Sequence, residues 1–227
     1  MNRKTIGMLG GLGPESTAAC YLQIARAYFE EFGDYAYPEI VVVSENFQEY
    51  IDVGYEAPQK VSAAMEALAR AGADFAVAAC NSVHIVYERL QGRLPIPWVA
   101  IMDAAAEAVQ ARRMKKVGLL GTVFTMEKGF YQTAFERRGI ELLVPAPAGR
   151  RRVNDIIYQE LVVADVQDDS RRDALALVDE MAACGSEGVL LACTELPFLL
   201  RPEHSAVPLF DTTDLLARKA LDLALGR

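Results

Sequence analysis

Two cysteines occupy matched positions in the two halves of the 227-residue chain. Cys80 ends an apolar run that opens at Gly72, and Cys193 ends a similar run that opens at Gly185, eight positions in each case. A free thiol has a pKa of about 8.5, so it can both donate and accept a proton near neutral pH. If each run is a strand, the chain can place thiols on opposite sides of one small molecule. The alternative is that both cysteines are small buried residues, which is the commonest role of a free cysteine.

The elements that would position these thiols read as alternating strands and helices, the pattern of βαβ units and parallel sheets. The strand candidates are continuous Val, Ile, Leu and Ala runs, as expected for strands buried on both faces. We predict strands at Thr5–Leu9, Ile40–Val43, Phe75–Ala79, Trp98–Ile101, Val117–Leu120, Glu141–Val144, Val189–Ala192 and Leu209–Phe210. Helices are predicted at Glu15–Glu31, Gln59–Ala71, Asp103–Arg113, Glu127–Arg138, Val153–Val163, Arg171–Ala183 and Thr213–Leu225.

Three landmarks recur in the same order in both halves, which indicates an internal duplication. They are a glycine-ended strand, the cysteine, and a step from proline to aspartate. The glycines Gly10 and Gly121 precede their cysteines by 70 and 72 positions, and the steps Pro97 to Asp103 and Pro208 to Asp214 each span six.

The duplication predicts an α/β fold of two similar doubly wound domains, each with a parallel four-stranded sheet. We place the first domain at residues 1–101 plus 211–227 and the second at 102–210, with the last helix returning to cover the first half. Such sheets bind ligands beyond the carboxyl ends of their strands. If the halves face each other about a pseudo-twofold axis, both thiols and both glycine turns converge on one cleft.

Composition argues against several classes of protein. The net charge of −8 disfavours nucleic acid, which attracts basic surfaces. No apolar run reaches the roughly 18–20 residues of a membrane helix. The chain enters a strand near its start, so we expect no secretory signal, a cytoplasmic location and four unpaired cysteines. The absence of CxxC and HxxxH patterns predicts that no metal is bound.

Three segments resemble the signature segments of the aspartate/glutamate racemases, within the aspartate/glutamate/hydantoin racemase superfamily. They are Gly10-Gly11-Leu12-Gly13-Pro14-Glu15-Ser16-Thr17, Cys80-Asn81-Ser82-Val83-His84 and Ala192-Cys193-Thr194-Glu195. The likeness runs from about Thr5 to about Leu225 and includes Leu119–Glu127. It implies two α/β domains related by pseudo-twofold symmetry, an active site between them, racemisation without pyridoxal phosphate or another cofactor, and a homodimer.

Racemisation explains why two thiols would be needed. One base removes the α-proton from one face of the substrate, and a second group returns a proton to the other face. One thiol must therefore start each turnover as thiolate and the other as thiol. The resemblance assigns these roles to Cys80 and Cys193, and it leaves open which cysteine acts on which enantiomer.

Other residues are candidates for holding the substrate. Backbone amides around Leu12 could bind the α-carboxylate, and the side chains that could donate hydrogen bonds to carboxylates are Asn81, Ser82, Thr122 and Thr194. A helix-capping role for these four is the alternative and could coexist. Glu195 could bind the substrate ammonium, tune Cys193 or favour a helix start. Gln48, in the loop after the second strand, is a further candidate.

Several residues have competing interpretations. The glycine loop also suggests a dinucleotide fingerprint, but it lacks the third glycine, and the second strand does not end in a convincing acidic residue. His84 could adjust the Cys80 thiol or could be structural. Cys20 and Cys184 lie in helical patterns and are predicted to be core residues, and His204 is predicted at the surface.

The motifs do not identify the residues that bind the substrate side chain. Some aspartate racemases carry an arginine in the second loop and a lysine in the helix after Asn154, and both are missing here. The anchor for an acidic side chain could be backbone amides or Arg150–Arg152, a run otherwise expected as a solvated loop or helix start. We expect an amino acid, acidic in the first instance. The alternatives are an enzyme like maleate isomerase or malonate decarboxylase, and a non-catalytic protein that binds small carboxylates.

Overall fold

The computed structural model describes residues 3–227, which divide into two compact units. Unit 1 comprises the chain up to Ala104 together with Thr213–Arg227, and unit 2 comprises Ala105–Thr212. The predicted domains, residues 1–101 plus 211–227 and residues 102–210, stay a prediction.

Unit 1 contains a parallel four-stranded sheet in the order β2-β1-β3-β4. Its strands are β1 (Ile6–Gly10), β2 (Ile40–Ser44), β3 (Phe75–Ala78) and β4 (Trp98–Val99). Its helices are α1 (Pro14–Phe32), α2 (Phe47–Ile51), α3 (Pro58–Arg70) and α4 (Tyr87–Leu90), with α5 (Ile101–Ala111) following β4 and a 3₁₀ turn at Ser82–Val86. The core includes Ile24, Met65 and Leu68, which the sheet and helices bury completely.

Unit 2 repeats this topology in a second parallel sheet, ordered β6-β5-β7-β8. Its strands are β5 (Lys116–Gly121), β6 (Glu141–Leu143), β7 (Val189–Ala192) and β8 (Leu209–Asp211). Its helices are α6 (Val123–Glu127), α7 (Phe130–Glu136), α8 (Pro147–Gln159), α9 (Asp168–Ala183) and α10 (Leu196–Leu199). Two 3₁₀ turns lie at Leu161–Val163 and Pro202–His204, and α11 (Thr212–Ala224) follows β8. The predicted α/β class, with two parallel four-stranded sheets, is therefore confirmed.

The last helix packs within unit 1. Leu221 of α11 lies in a buried cluster with Ala27 and Tyr28 of α1. The Lys4 N–H also donates to the Ala224 carbonyl over 3.0 Å. The chain end thus completes the core that its first residues begin.

Two predicted helices are wrong in their bounds. The segment predicted as one helix from Glu127 to Arg138 is broken by Gly129, which has a φ of 83° that suits glycine. The helix predicted to begin at Val153 begins at Pro147, because proline fits the first helical position. The basic run Arg150–Arg152 therefore lies within α8. No helix in residues 3–227 is long and apolar enough to cross a membrane.

Candidate active site

Each cysteine lies within two residues of the carboxyl end of a buried strand, beside the strand that ends in the glycine turn. In unit 1, Leu9 of β1 is paired with Ala78 of β3, two residues before Cys80. In unit 2, Gly121 is paired with Ala192, so Thr122 and Cys193 leave neighbouring strands at the same level. Neighbouring strands lie about 4.8 Å apart. The structure thus brings the Leu12 and Gln48 loops to the sheet edge of Cys80, and Thr122 to the edge of Cys193.

The first thiol is partly exposed, and the residues that follow it are buried. Asn81 is 6% exposed and Ser82 is 8% exposed. Asn81 already has helical backbone angles, and the 3₁₀ turn begins at Ser82. The strand therefore passes directly into a helical turn at the thiol, which orients backbone N–H groups towards the strand end.

His84 holds this turn from within the core. Its side chain is fully buried, with Nδ1 2.9 Å from the Cys80 carbonyl oxygen and Nε2 3.1 Å from the Ile101 backbone nitrogen. An N–H can only donate, so Nε2 accepts from Ile101 and Nδ1 carries the proton that is donated to Cys80. Burial lowers the pKa of His84 to about 4, against the effect of the hydrogen bonds to the Cys80 and Asn81 backbone. Of its two proposed roles, the structural one is what these contacts describe.

The glycine loop lies tightly against the loop that follows β2. Gly11 has a φ of 84°, and a Cβ there would lie 2.4 Å from the Glu45 carbonyl oxygen. The Thr17 hydroxyl accepts from the Gly11 N–H at 2.9 Å and donates to the Gly13 carbonyl at 3.0 Å. Leu12, between Gly11 and Gly13, is buried, with 4% of its surface exposed. Only glycine fits at position 11, for both its backbone angle and its close contact.

Gln48 is directed along its own helix. It is exposed, and its amide donates to Asp52 at 2.8 Å, while Asn46 caps α2 by accepting from the Gln48 N–H. Glu49 beside it forms an ion pair with Lys60. In this structure the Gln48 amide is therefore engaged in a local contact.

Tyr50 is the residue of this loop that sequence reasoning missed. Its side chain is fully buried, and its hydroxyl has no hydrogen-bond partner within residues 3–227. Burial raises the pKa of Tyr50, and the negative charges of Glu45 and Cys80 raise it further. The hydroxyl therefore lies within electrostatic reach of the first thiol. The signal in the sequence was a tyrosine in the short segment that follows the second strand.

The second thiol has a carboxylate beside it. The Cys193 thiol donates to Glu195 Oε2 at 2.9 Å, and the Thr194 hydroxyl donates to the same oxygen at 2.8 Å. All three residues are partly exposed. A carboxylate that accepts the thiol proton favours the protonated form of the sulfur, because a thiolate would place two negative charges together.

Thr122 shows the capping role that was left open for it. Its hydroxyl accepts from the Thr125 N–H at 3.2 Å and lies 3.1 Å from the Thr125 hydroxyl. The next N–H, of Val123, donates to Asn154 of α8 at 3.0 Å. Thr122 is therefore fixed by the start of α6 with its hydroxyl buried.

The basic run on α8 is engaged in ion pairs. Arg150 Nε lies 3.4 Å from Glu127, and Arg152 Nε lies 2.7 Å from Asp173. Arg151 is exposed. An acidic substrate side chain would have to compete with these carboxylates for Arg150 or Arg152.

The remaining cysteines differ from each other. Cys20 is buried in α1, as predicted, but Cys184 is exposed, and its predicted core position is wrong because it caps the carboxyl end of α9. His204 is partly exposed, and its Nδ1 accepts from the Arg201 N–H. All four cysteines are free thiols. Residues 3–227 contain no group of three or more His, Cys, Asp or Glu side chains arranged to hold a metal ion.

Several proteins that are similar to this chain are named as amino-acid racemases. The family model for Asp/Glu/hydantoin racemases matches residues 9–220. The broad specificity amino-acid racemase RacX of Bacillus subtilis is 25% identical over 230 residues, covering 97% of this chain and 98% of RacX. The crystal structure of an aspartate racemase homologue from Pyrococcus horikoshii OT3 has a TM-score of 0.89 at 35% identity, covering 98% and 99% of the two chains.

A crystal structure from Yersinia pestis, provisionally assigned as an Asp/Glu racemase, has a TM-score of 0.92 at 33% identity and covers 98% of this chain and 99% of its own. The family match covers most of the described residues. The chain therefore belongs to the Asp/Glu/hydantoin racemase family and is an amino-acid racemase.

Proposed function

We propose that the protein racemises a free amino acid by a two-base mechanism in which Cys80 and Cys193 are the bases. One observation carries the proposal: the two thiols follow matching strands of two sheets with the same topology and comparable register. A duplicated scaffold that repeats a partly exposed thiol at the ligand-binding edge suits a reaction with two equivalent proton-transfer steps.

The contacts at Cys193 supply the starting protonation state. In one direction of turnover Cys193 starts as the thiol, because Glu195 accepts its proton, and Cys80 starts as the thiolate. The Cys80 thiolate removes the α-proton, so that the C–H bond breaks and an S–H bond forms while the electron pair delocalises into the substrate carboxylate. Cys193 then gives its proton to the opposite face of the α-carbon and becomes the thiolate. Turnover in the other direction runs the same steps in reverse.

The substrate α-carboxylate needs hydrogen-bond donors near the thiols. The turn at Asn81 and Ser82 and the amides around Leu12 supply candidates. The Thr194 hydroxyl, which donates to Glu195, would have to give up that hydrogen bond to bind the carboxylate. Thr122 remains a candidate donor through its buried hydroxyl, and Glu195 is available to bind the substrate ammonium. The chemistry assigned to these groups uses no cofactor.

Aspartate and glutamate are the first substrates to test, because the matched family carries their names. The broad specificity relative supports a wider range, and Arg150 and Arg152 of α8 are already paired with carboxylates. A substrate panel should therefore include acidic, neutral and basic amino acids.

The test is incorporation of deuterium from D₂O into the α-position of single enantiomers, followed by proton NMR and chiral chromatography. We expect α-exchange together with inversion in the wild type and loss of inversion in Cys80→Ala and in Cys193→Ala. Cys184→Ala is the matched control, since this exposed thiol lies outside the candidate site, and it should keep full activity. Retention of the racemisation rate in either site variant would refute the two-base assignment.

The same screen addresses the alternatives. A malonate decarboxylase would release carbon dioxide, a maleate isomerase would convert a double bond, and a binding protein would bind carboxylates without turnover. None of these three would carry deuterium into an amino acid.

We further propose a cytoplasmic homodimer. The four free thiols are consistent with a reducing compartment. Large apolar side chains of α1 and the loop after it are more than two-fifths exposed, namely Tyr21, Leu22, Phe29, Phe32, Tyr35 and Tyr37. Such surfaces favour association. Light scattering after size exclusion should give twice the chain mass of 24.9 kDa, and the monomer mass would contradict the dimer.

A further inference from the structure

We propose that His84 is a positioning residue for Cys80: it ties the peptide that carries the first thiol to the start of α5. This inference rests on the proposed role of Cys80 as a base. It concerns how one of the two thiols is aimed, and the other thiol has no equivalent histidine at its own turn.

The position of Cys80 explains why a tie is needed. The ladder of β3 ends at Ala78, so Ala79 and Cys80 lie beyond the last paired residues. The direction of the Cys80 side chain then depends on the peptide planes on either side of it. The hydrogen bond from His84 to the Cys80 carbonyl fixes the plane between Cys80 and Asn81.

The other end of the imidazole is fixed equally well. Its Nε2 accepts from the backbone N–H of Ile101, the first residue of α5. That N–H belongs to the first turn of the helix, where the N–H groups lack helical partners. The ring itself packs 4.9 Å from the Trp98 ring and 6.4 Å from the Tyr87 ring, centroid to centroid. A buried ring with both nitrogens engaged has little freedom, so it can transmit the position of α5 to the thiol loop.

Unit 2 makes a comparable tie with different chemistry. Thr212, the first residue of α11, donates to the Leu191 carbonyl within β7 at 3.1 Å. This bond ends two residues before Cys193, and Thr212 also hydrogen-bonds with Tyr131. Both units therefore link the thiol strand to the helix after the fourth strand, and in unit 1 the link reaches the cysteine itself. Thr212→Val is accordingly a matched control, because it removes the hydrogen bond from Thr212 to Leu191 in unit 2.

The experiment measures how fast each cysteine reacts with iodoacetamide in the free protein, by peptide mapping, with exposed Cys184 as the internal standard. His84→Leu should change the rate at Cys80 by at least about threefold, the factor of a weak hydrogen bond, and leave Cys193 unchanged. His84→Gln keeps one donor and one acceptor at similar separation and should restore the wild-type rate. Thr212→Val should leave Cys80 unchanged.

The racemisation rates of the variants should follow the same pattern as their alkylation rates. We expect kcat to be lowered in His84→Leu and recovered in His84→Gln, with KM little changed. If His84→Leu does not fold, His84→Asn replaces it, because its shorter amide cannot bridge Cys80 and Ile101. The proposal is overturned if the apolar or shortened variant reacts at Cys80 like wild type, or if Cys193 changes equally. Failure of the proposed function would appear differently, as absent racemisation in the wild type with the alkylation contrast intact.

Discussion

Acid should destabilise unit 1 through a single buried imidazole. His84 has a pKa of about 4 in the folded chain against 6.5 for the model side chain, because burial disfavours its charged form. Between these values the unfolded chain binds a proton that the folded chain does not. The stability from His84 is therefore fully present above pH 6.5 and is lost as the pH falls towards 4. From pH 7 to pH 4.5 this linkage removes about 2 kcal/mol from the free energy of unfolding.

Trp98 provides the assay. It is the only tryptophan in the chain, is 7% exposed and lies 4.9 Å from the His84 ring, so its fluorescence reports the unfolding of unit 1. Urea titrations would be run for wild type and His84→Gln between pH 7 and pH 4.5. Carboxylates elsewhere titrate equally in both proteins, so they cancel in the comparison. The stability advantage of wild type over His84→Gln should shrink by about 2 kcal/mol across this range.

A constant difference between the two proteins at every pH would refute the reasoning. It would mean that the imidazole gains its proton as easily in the folded chain as in the unfolded one. The hydrogen bond from Ile101 to Nε2 could not then exist in solution at low pH, since a doubly protonated ring cannot accept it. The same result would remove the basis for treating His84 as a neutral bridge.

Three further predictions follow from the site. Glu195→Gln should speed the alkylation of Cys193 at pH 7, because the thiol loses the carboxylate that accepts its proton, and it should lower kcat about tenfold or more. An unchanged alkylation rate would contradict the contact between Cys193 and Glu195. Tyr50→Phe should leave the melting temperature unchanged or higher, since the hydroxyl is buried without a hydrogen-bond partner in residues 3–227. KM should rise if the substrate binds that hydroxyl. A large loss of stability would show that the hydroxyl has a partner in solution. Gly11→Ala should cost about 3 kcal/mol in urea unfolding, from its positive φ and its contact with Glu45. Gly129→Ala, at a φ of 83° but in open space, should cost about 1 kcal/mol, and equal costs would refute the close contact.

Much of the fold could be predicted because parallel strands leave a strong pattern. β7 begins and ends where its apolar run predicts, since every residue of a strand buried on both faces must be apolar. The short elements were missed because they carry no periodicity. Four-residue helices such as Leu196–Leu199 and the turn at Ser82–Val86 contain too few residues to show a helical face.

Candidate site residues could be predicted where their position after a strand is enough to identify them. They could not be predicted where their role depends on contacts with residues that are distant in the sequence. The cysteines follow strands, which the sequence displays. The bridge from His84 to Ile101 joins residues 17 positions apart and could be recognised only in three dimensions. The same holds for the exposure of Cys184, which depends on the last turn of α9 ending one residue earlier. Gln48 looked suitable by its place after β2, but its amide bonds to Asp52 within the same helix segment.

The two half-sites differ most where their turns diverge. Both continue from cysteine through a polar residue, Asn81 in one unit and Thr194 in the other, and the next positions are Ser82 and Glu195. A serine cannot carry a charge near neutral pH, whereas the glutamate carboxylate accepts the thiol proton of Cys193. The exchange of serine for glutamate at this one position makes the two turns chemically unequal, because it places a carboxylate acceptor beside the Cys193 thiol. On the proposed mechanism, this carboxylate favours the direction of turnover in which Cys193 donates the proton.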